Sequence, residues 1–178
     1  LMPHFHISLQ AGNNMILKRM KRRHSREMAI KFCKKVLSIR KNATFGADII
    51  AGFPTETEEM FLDSIRLVDE CQLTHLHVFP YSPRDKTPAS RMPQVDKKTI
   101  KERAKRLRNK GFEKLEENLK SKIGKKELIL IENNKDNISL GKDQNFIKVK
   151  IREYVKEGKI ISCTYTGIEG DTLLADIA

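Results

Sequence analysis

Apolar and polar positions first alternate along this chain and then fall into longer periods. Met2–Leu9 (MPHFHISL) has the two-residue alternation of a strand and stops at Gln10-Ala11-Gly12, a turn signal. Asn13 or Asn14 can cap a short helix running through Met20, and Ser25 is the natural cap for a helix over Arg26–Arg40. The apolar positions Ile30, Cys33 and Val36/Leu37 of that helix recur at helical spacing. Thr44–Ala51 is almost continuously apolar apart from Asp48, the pattern of a strand buried on both faces of a parallel sheet. Gly52-Phe53-Pro54 ends it, and Thr55 with Glu58 forms a capping-box pattern for a helix to about Cys71. His75–Phe79 predicts another short strand. Tyr81–Val95, with Pro83, Pro88 and Pro93, predicts a loop, and Asp96 caps a long helix to about Lys120.

Alternating strands and helices imply βα units and a parallel sheet. Three strands are too few to close a barrel, so the first part is expected to be an α/β partial (β/α) barrel of TIM type. After Lys125 the period shortens. Glu127–Glu132, Ile138–Leu140, Phe146–Ile151, Ile160–Tyr165 and Leu173–Ile177 are short and rich in β-branched residues, the signature of a small antiparallel all-β barrel of OB-like kind. The expected domains are residues 1–120 and 121–178.

Charge sharpens this picture. The 178 residues carry a formal net charge of +12, concentrated in two segments. Met15–Lys41 holds 11 basic residues against one acid, and Asp96–Lys126 holds 13 against five. Two basic segments on an acidic remainder suggest a polyanionic partner, RNA or DNA rather than a membrane, or else two solvated helix faces. No stretch is apolar enough to span a bilayer, and no secretory leader is evident at the start, so a cytoplasmic location is expected. The apolar opening without an initiator Met reads as the interior of a longer protein. Cys33, Cys71 and Cys163 are few and scattered, without Cys-x-x-Cys spacing, and read as buried thiols rather than disulfides or metal ligands.

Three places could carry chemistry. His4, His6, Ser8 and Gln10 share one face of the first strand, which is costly unless that face lines a polar cavity or meets solvent. His4 and His6 have metal-ligand spacing, but no third or fourth ligand is evident, so no metal is expected. Asp48 within an apolar strand requires a cation or hydroxyl partner, either a structural ion pair or a ligand's ribose or ammonium group. Gly52–Glu58 lies where ligands of α/β folds bind, yet with one Gly and no Lys it is no phosphate loop.

Four strings, Pro3-His4-Phe5-His6-Ile7-Ser8-Leu9-Gln10-Ala11-Gly12, Leu17-Lys18-Arg19-Met20, Asp48-Ile49-Ile50-Ala51-Gly52-Phe53-Pro54-Thr55-Glu56-Thr57 and His77-Val78-Phe79-Pro80-Tyr81-Ser82-Pro83-Arg84, in this order resemble the later half of a radical SAM domain. They look most like the tRNA methylthiotransferases, and His77–Ser82 like the branch acting on threonylcarbamoyladenosine. The basic helix and terminal barrel are similar to that family's closing helix and its RNA-binding TRAM domain. The resemblance implies S-adenosylmethionine and four-iron four-sulfur clusters in the full-length family, and replacement of an adenine C–H beside the tRNA anticodon by a methylthio group. It implies cofactor contacts for Ser8, Gln10, Arg22 (or its neighbour Arg23) and Asp48. It implies RNA contacts for Lys105, Arg106, Arg108, Phe146, Lys148 and Lys150, with Ile147 and Val149 turned to the core.

The chain also departs from the pattern. The cluster-binding Cys-x-x-x-Cys-x-x-Cys is absent, so no catalytic residue is assigned, and neither cofactor is expected to bind tightly to this chain alone. A separately encoded N-terminal half is an expected partner; a stand-alone RNA binder or a decayed gene product is the alternative. The family's Gly after Phe53-Pro54 is Thr55 here, and its Arg-Pro-Gly-Thr reads Arg84-Asp85-Lys86-Thr87.

Overall fold

A computed structural model describes all of residues 1–178. The chain forms two compact units, Phe5–Lys114 and Leu115–Ala178 with Leu1–His4.

In the first unit the elements run β1 (His4–Gln10), α1 (Asn14–Arg19), α2 (Arg26–Ile39), β2 (Thr44–Ala51), α3 (Glu58–Glu70), β3 (Leu73–Pro80), a 3-10 turn (Pro88–Arg91) and α4 (Lys97–Lys122), which continues into the second unit. Asn13 caps α1 by accepting from the N–H groups of Met15 and Ile16, and Ser25 caps α2 by accepting from Met28 N–H. Asp96 caps α4 through Thr99 N–H. The three strands form an open sheet in the order β1-β2-β3, with β2 and β3 parallel and Asp48 opposite His77.

One face of this sheet makes the core. Leu9, Phe45, Ala47, Ile49 and Leu73 pack against Cys33 of α2, Phe61, Leu67 and Val68 of α3, and Ala104 and Leu107 of α4. The other face carries His6, Ser8, Asp48, Ile50, His77 and Phe79, each half-buried or exposed. The strand β2 is therefore not sealed on both sides, as its apolar run suggests. Its odd-numbered residues are buried under helices, while Asp48 and Ile50 look out from a face that no second layer covers. Gly111 lets α4 approach β3, since a Cβ there would lie 2.9 Å from Leu76 Cδ1.

The helix α3 starts two residues later than the capping box indicates. Thr57, not Thr55, is its cap and accepts from Met60 N–H. Thr55 is diverted because its backbone is left-handed (φ 67°), with its N–H donated to Pro93 O. Lys86 is also left-handed (φ 64°). These are the two positions where the family pattern carries Gly, and the backbone gives the reason, because only Gly enters this region without a Cβ penalty. A β-branched residue there costs on the order of 1–3 kcal/mol. Arg19 Nη1, donating to Thr55 Oγ1 at 2.6 Å, offsets part of that. Thr55→Gly is expected to stabilise the chain by about 0.5–1 kcal/mol in chemical denaturation. A loss of stability would show that the Arg19 bond outweighs the strain.

The second unit contains β4 (Lys126–Lys135), β5 (Ile138–Lys142), β6 (Lys148–Ile151), β7 (Ile160–Glu169) and β8 (Thr172–Ile177), closed in the order β4-β5-β6-β8-β7. The barrel is not antiparallel throughout, as its short strands suggest: β6 and β8, which are not consecutive in the chain, pair in parallel, and the other pairings are antiparallel. Ile129, Ile131, Ile147, Val149, Ile151, Tyr165 and Leu173 fill its interior with Leu119 of α4. Asp143 is the polar centre of this core. It accepts from Tyr165 Oη at 2.9 Å, Lys122 Nζ at 3.0 Å, and the backbone N–H groups of Asn145 and Ile147. These bonds shape the β5–β6 turn and put Phe146 in a left-handed conformation (φ 63°), so β6 begins at Lys148 rather than Phe146. Burial, reinforced by Asp143, pushes the Tyr165 hydroxyl pKa upward and keeps it a donor.

Candidate functional site

The open sheet face and the carboxyl ends of its strands make a cleft of about 700 Å³. Gln10 enters from the end of β1, Arg22 from the turn after α1, Asp48 and Ile50 from β2, and Tyr81 and Arg84 from the segment after β3. Three of the residues singled out by sequence, Gln10, Arg22 and Asp48, thus line one cleft. Arg23, the alternative to Arg22, is not among the lining residues. Ser8 is exposed and lies on the Gln10 face of β1, but it does not line the cleft.

Local geometry explains how these residues are presented. Gln10 is left-handed (φ 70°), and Ala11 N–H bonds back to Leu9 O, so the chain turns sharply at the strand end. Gly12 then passes close under α3, where its N–H donates to Ser64 Oγ at 2.9 Å. His24 hydrogen-bonds Leu9 O, and Arg22 N–H donates to Leu17 O, which fixes the basic turn. At the end of β2, Glu56 accepts from Gly52 N–H at 2.9 Å and from Arg103 Nη1 at 3.0 Å. That ion pair is almost wholly buried, with 6% of the Arg103 and 1% of the Glu56 side chain exposed. Burial raises the Glu56 pKa above the usual carboxylate range, and Gly52 N–H and Arg103 work against the rise. The Tyr81 hydroxyl is buried without a hydrogen-bond partner, a deficit that a ligand in the adjoining cleft would remove.

Asp48 has two protein partners, neither of which the sequence pattern indicated. Its Oδ1 lies 2.8 Å from His6 Nε2 and 3.3 Å from His77 Nδ1. His4 goes elsewhere, its ring 5.6 Å from that of Phe146. The signal for His77 was the alternation of His75, His77 and Phe79 on one face of β3, together with the β2/β3 register, which only the assembled sheet supplies.

The cysteines make no cluster site. Cys33, Cys71 and Cys163 are all buried, and no disulfide joins any of them. Cys33 and Cys71 sit in the core of the first unit and Cys163 in the interior of the barrel. Contact with Cys33, then burial, pushes the Cys71 thiol up, and burial pushes Cys163 up, so neither is a ready thiolate ligand. A four-iron cluster needs several accessible thiolates in one place, and this chain's residues do not fit it.

On the barrel, Phe146 is 52% exposed and lines an apolar cleft of about 250 Å³ with Met2, Leu128, Leu130 and Ile160. Ile147 and Val149 point inward. Lys148 and Lys150 point outward, paired with Asp171 at 2.7 Å and Glu169 at 3.0 Å. On α4, Lys105 is exposed, while Arg106 donates to Glu58 at 2.6 Å and lies over the Phe61 ring. Arg108 is exposed, with Nη2 3.4 Å from Val78 O. No helix is long and apolar enough to cross a membrane.

Comparison with known proteins converges on one family. The profile of the Radical SAM superfamily matches residues 2–68. The threonylcarbamoyladenosine tRNA methylthiotransferase of Rickettsia prowazekii is 54% identical over 169 residues, 95% of this chain and 39% of the relative. The enzyme of that name from Aquifex aeolicus is 34% identical over 161 residues, 89% of this chain and 38% of the relative. The tRNA-2-methylthio-N(6)-dimethylallyladenosine synthase of Oceanobacillus iheyensis is 38% identical over 133 residues, 74% of this chain and 26% of the relative. The chain spans about two-fifths of the length of the first two of these relatives, and over most of its own length it is similar to radical SAM tRNA methylthiotransferases, among them those named for threonylcarbamoyladenosine.

Proposed function

We propose that the chain is the C-terminal part of a methylthiotransferase acting on threonylcarbamoyladenosine next to the tRNA anticodon, inactive by itself. In this reading β1–β3 are the later strands of a (β/α) barrel whose earlier strands belong to a separate N-terminal half. The observation that carries it is the uncovered polar sheet face with Gln10, Arg22 and Asp48 in one cleft. The inside of a barrel would present such a face.

The cleft residues suit S-adenosylmethionine by type. The Arg22 guanidinium would fork onto its carboxylate, and Asp48 would accept from ribose hydroxyls. Gln10 and the unpartnered Tyr81 hydroxyl would supply further hydrogen bonds, with Ser8 on the same strand face. The iron–sulfur chemistry has to come from outside these residues.

The experiment is anaerobic reconstitution of this chain alone and together with a cysteine-bearing N-terminal half. Alone it is expected to take up no stoichiometric cluster and to form no methylthio nucleoside. The assembled pair is expected to do both, read by iron and sulfide assay and by nucleoside mass spectrometry. A four-iron cluster on the chain alone would overturn the incomplete-enzyme reading. A loaded pair that leaves tRNA unmodified would overturn the activity.

One observation favours a second role, as an RNA-binding module in its own right: the barrel β4–β8 is closed around its own core. Phe146 could stack on a base, worth about 1–3 kcal/mol by truncation. Lys148 and Lys150 are exposed-side ion pairs of little net worth, so phosphates can displace Asp171 and Glu169. tRNA affinity is expected to fall steeply with salt. The Lys148→Ala/Lys150→Ala and Lys105→Ala/Arg106→Ala/Arg108→Ala variants should flatten the log–log slope by about 0.9 for each phosphate that is no longer neutralised. The second variant also removes the Arg106–Glu58 ion pair, so its fold is checked by circular dichroism. Unchanged slopes in both variants would leave these charges as solvated surface.

A further inference from the structure

We propose that His6, Asp48 and His77 form a binding site for a divalent late first-row metal ion, with Zn²⁺ as the reference ion. The three side chains come from β1, β2 and β3, adjacent strands of one sheet, so their Cα positions are set by the sheet and not by a mobile loop. Their ligand atoms all lie within 4.8 Å of one another. Two imidazoles and one carboxylate match the borderline-soft ions Zn²⁺, Fe²⁺, Co²⁺ and Ni²⁺ rather than Mg²⁺ or Ca²⁺, which take oxygen ligands.

The hydrogen bonding shows how the ion would enter. Both imidazoles aim a nitrogen at the same atom, Asp48 Oδ1, at 2.8 Å from His6 Nε2 and 3.3 Å from His77 Nδ1. The His6 contact is a hydrogen bond in which a ring N–H donates to the carboxylate oxygen, and the His77 ring nitrogen lies at ion-pair distance from that same oxygen. A metal ion takes the place of the proton between His6 and Asp48 and uses the same three atoms. Bonds of about 2.0–2.1 Å put tetrahedral ligands about 3.4 Å apart. Rotation of the rings about their side-chain bonds closes the remaining gap. The rings can move because His77 is 63% and His6 37% exposed in side chain.

Exposure also fixes the kind of site. Structural zinc sites are closed by four protein ligands, whereas three ligands at an exposed face leave a position for water or for an oxygen of a bound ligand. Asp48 belongs to the wall of the Gln10–Arg22 cleft, so this open position lies beside that cleft. The assignment does not depend on the methylthiotransferase reading. It concerns this chain's side chains and a free metal ion.

The test uses the tag-free 178-residue chain stripped of metal with a chelator. Co²⁺ titration is followed by visible absorption, and Zn²⁺ titration by calorimetry. Expected is saturable one-to-one binding with the absorption of a four- or five-coordinate cobalt site. His6→Gln, Asp48→Asn and His77→Gln should each weaken binding by more than about tenfold, because each removes one of only three protein ligands. His4→Gln should leave it unchanged. Circular dichroism and thermal melts check that the variants fold. Independently, Zn²⁺ should shift the imidazole nitrogen resonances of His6 and His77 in the unaltered chain and leave those of His4 and His24 in place. Absence of saturable binding, equal affinity in all variants, or shifts at other histidines would overturn the site and leave Asp48 as the acceptor for His6 with His77 beside it.

Discussion

Arg103→Met is expected to lower the stability of the Phe5–Lys114 unit by about 3–5 kcal/mol at neutral pH, because it strands a buried carboxylate. Glu56 would keep one backbone donor, Gly52 N–H, and lose its buried countercharge. The loss should depend on pH in a definite direction. Burial already holds the Glu56 pKa above its ordinary value, and removing Arg103 takes away a force that lowers it. A carboxyl whose folded pKa exceeds its unfolded one binds its proton more tightly in the fold. Its contribution is therefore favourable at low pH and disappears as pH rises through the folded value. The variant should thus lie nearest the wild type in mild acid and fall further behind as pH increases. Urea titrations of both proteins across that range measure this, and a pH-independent gap would show that lost packing against Phe61, not charge, dominates. The Gly52–Glu56 turn at the end of β2 would loosen at the same time, so cleft binding should weaken with stability.

The second large effect is expected at Gly12. A Cβ there would lie 2.5 Å from Asp63 O and 2.5 Å from Ser64 Cα, both backbone atoms of α3 that no side-chain rotation can move. Gly12→Ala must push the β1–α1 turn off α3. That endangers the bonds from Gly12 N–H to Ser64 Oγ and from Arg26 Nη1 to Gly12 O. The expected loss is about 3 kcal/mol, at the upper end for overpacking, which lowers the thermal midpoint by roughly 10 °C. Ser64→Gly removes one bond and a side chain without relieving the backbone contact, so it should not rescue the variant. A near-wild-type midpoint for Gly12→Ala would mean that the turn can slide along α3, and that its close approach does not set the position of Gln10.

Local order was legible in the residues themselves wherever the physics is local. Alternation in Met2–Leu9 and helical spacing in Arg26–Arg40 placed β1 to within two residues and α2 to within one, because side-chain direction repeats every two residues in strands and every 3.6 in helices. Asp96 and Ser25 were readable as caps, since a cap bonds backbone groups two or three residues away. The two-part organisation was readable because the period changes after Lys125. The resemblance to the family, carried by ordered strings of residues, singled out Ser8, Gln10, Arg22 and Asp48 before any geometry was known, and the last three line one cleft.

Tertiary structure decided what depends on residues far apart in the chain. On paper the capping-box pattern names Thr55 as the α3 cap; the left-handed turn tied to Pro93 and Arg19 makes Thr57 the cap instead. Nothing near Lys148 and Lys150 in sequence announces Asp171 and Glu169, which barrel closure brings to them. Burial of β2 on both faces could not be settled from its own apolar run, because a strand's composition cannot say how many layers cover it. The joining of His6 to Asp48, 42 residues apart, and of both to His77 arises from strand order and register, long-range quantities that no local pattern encodes.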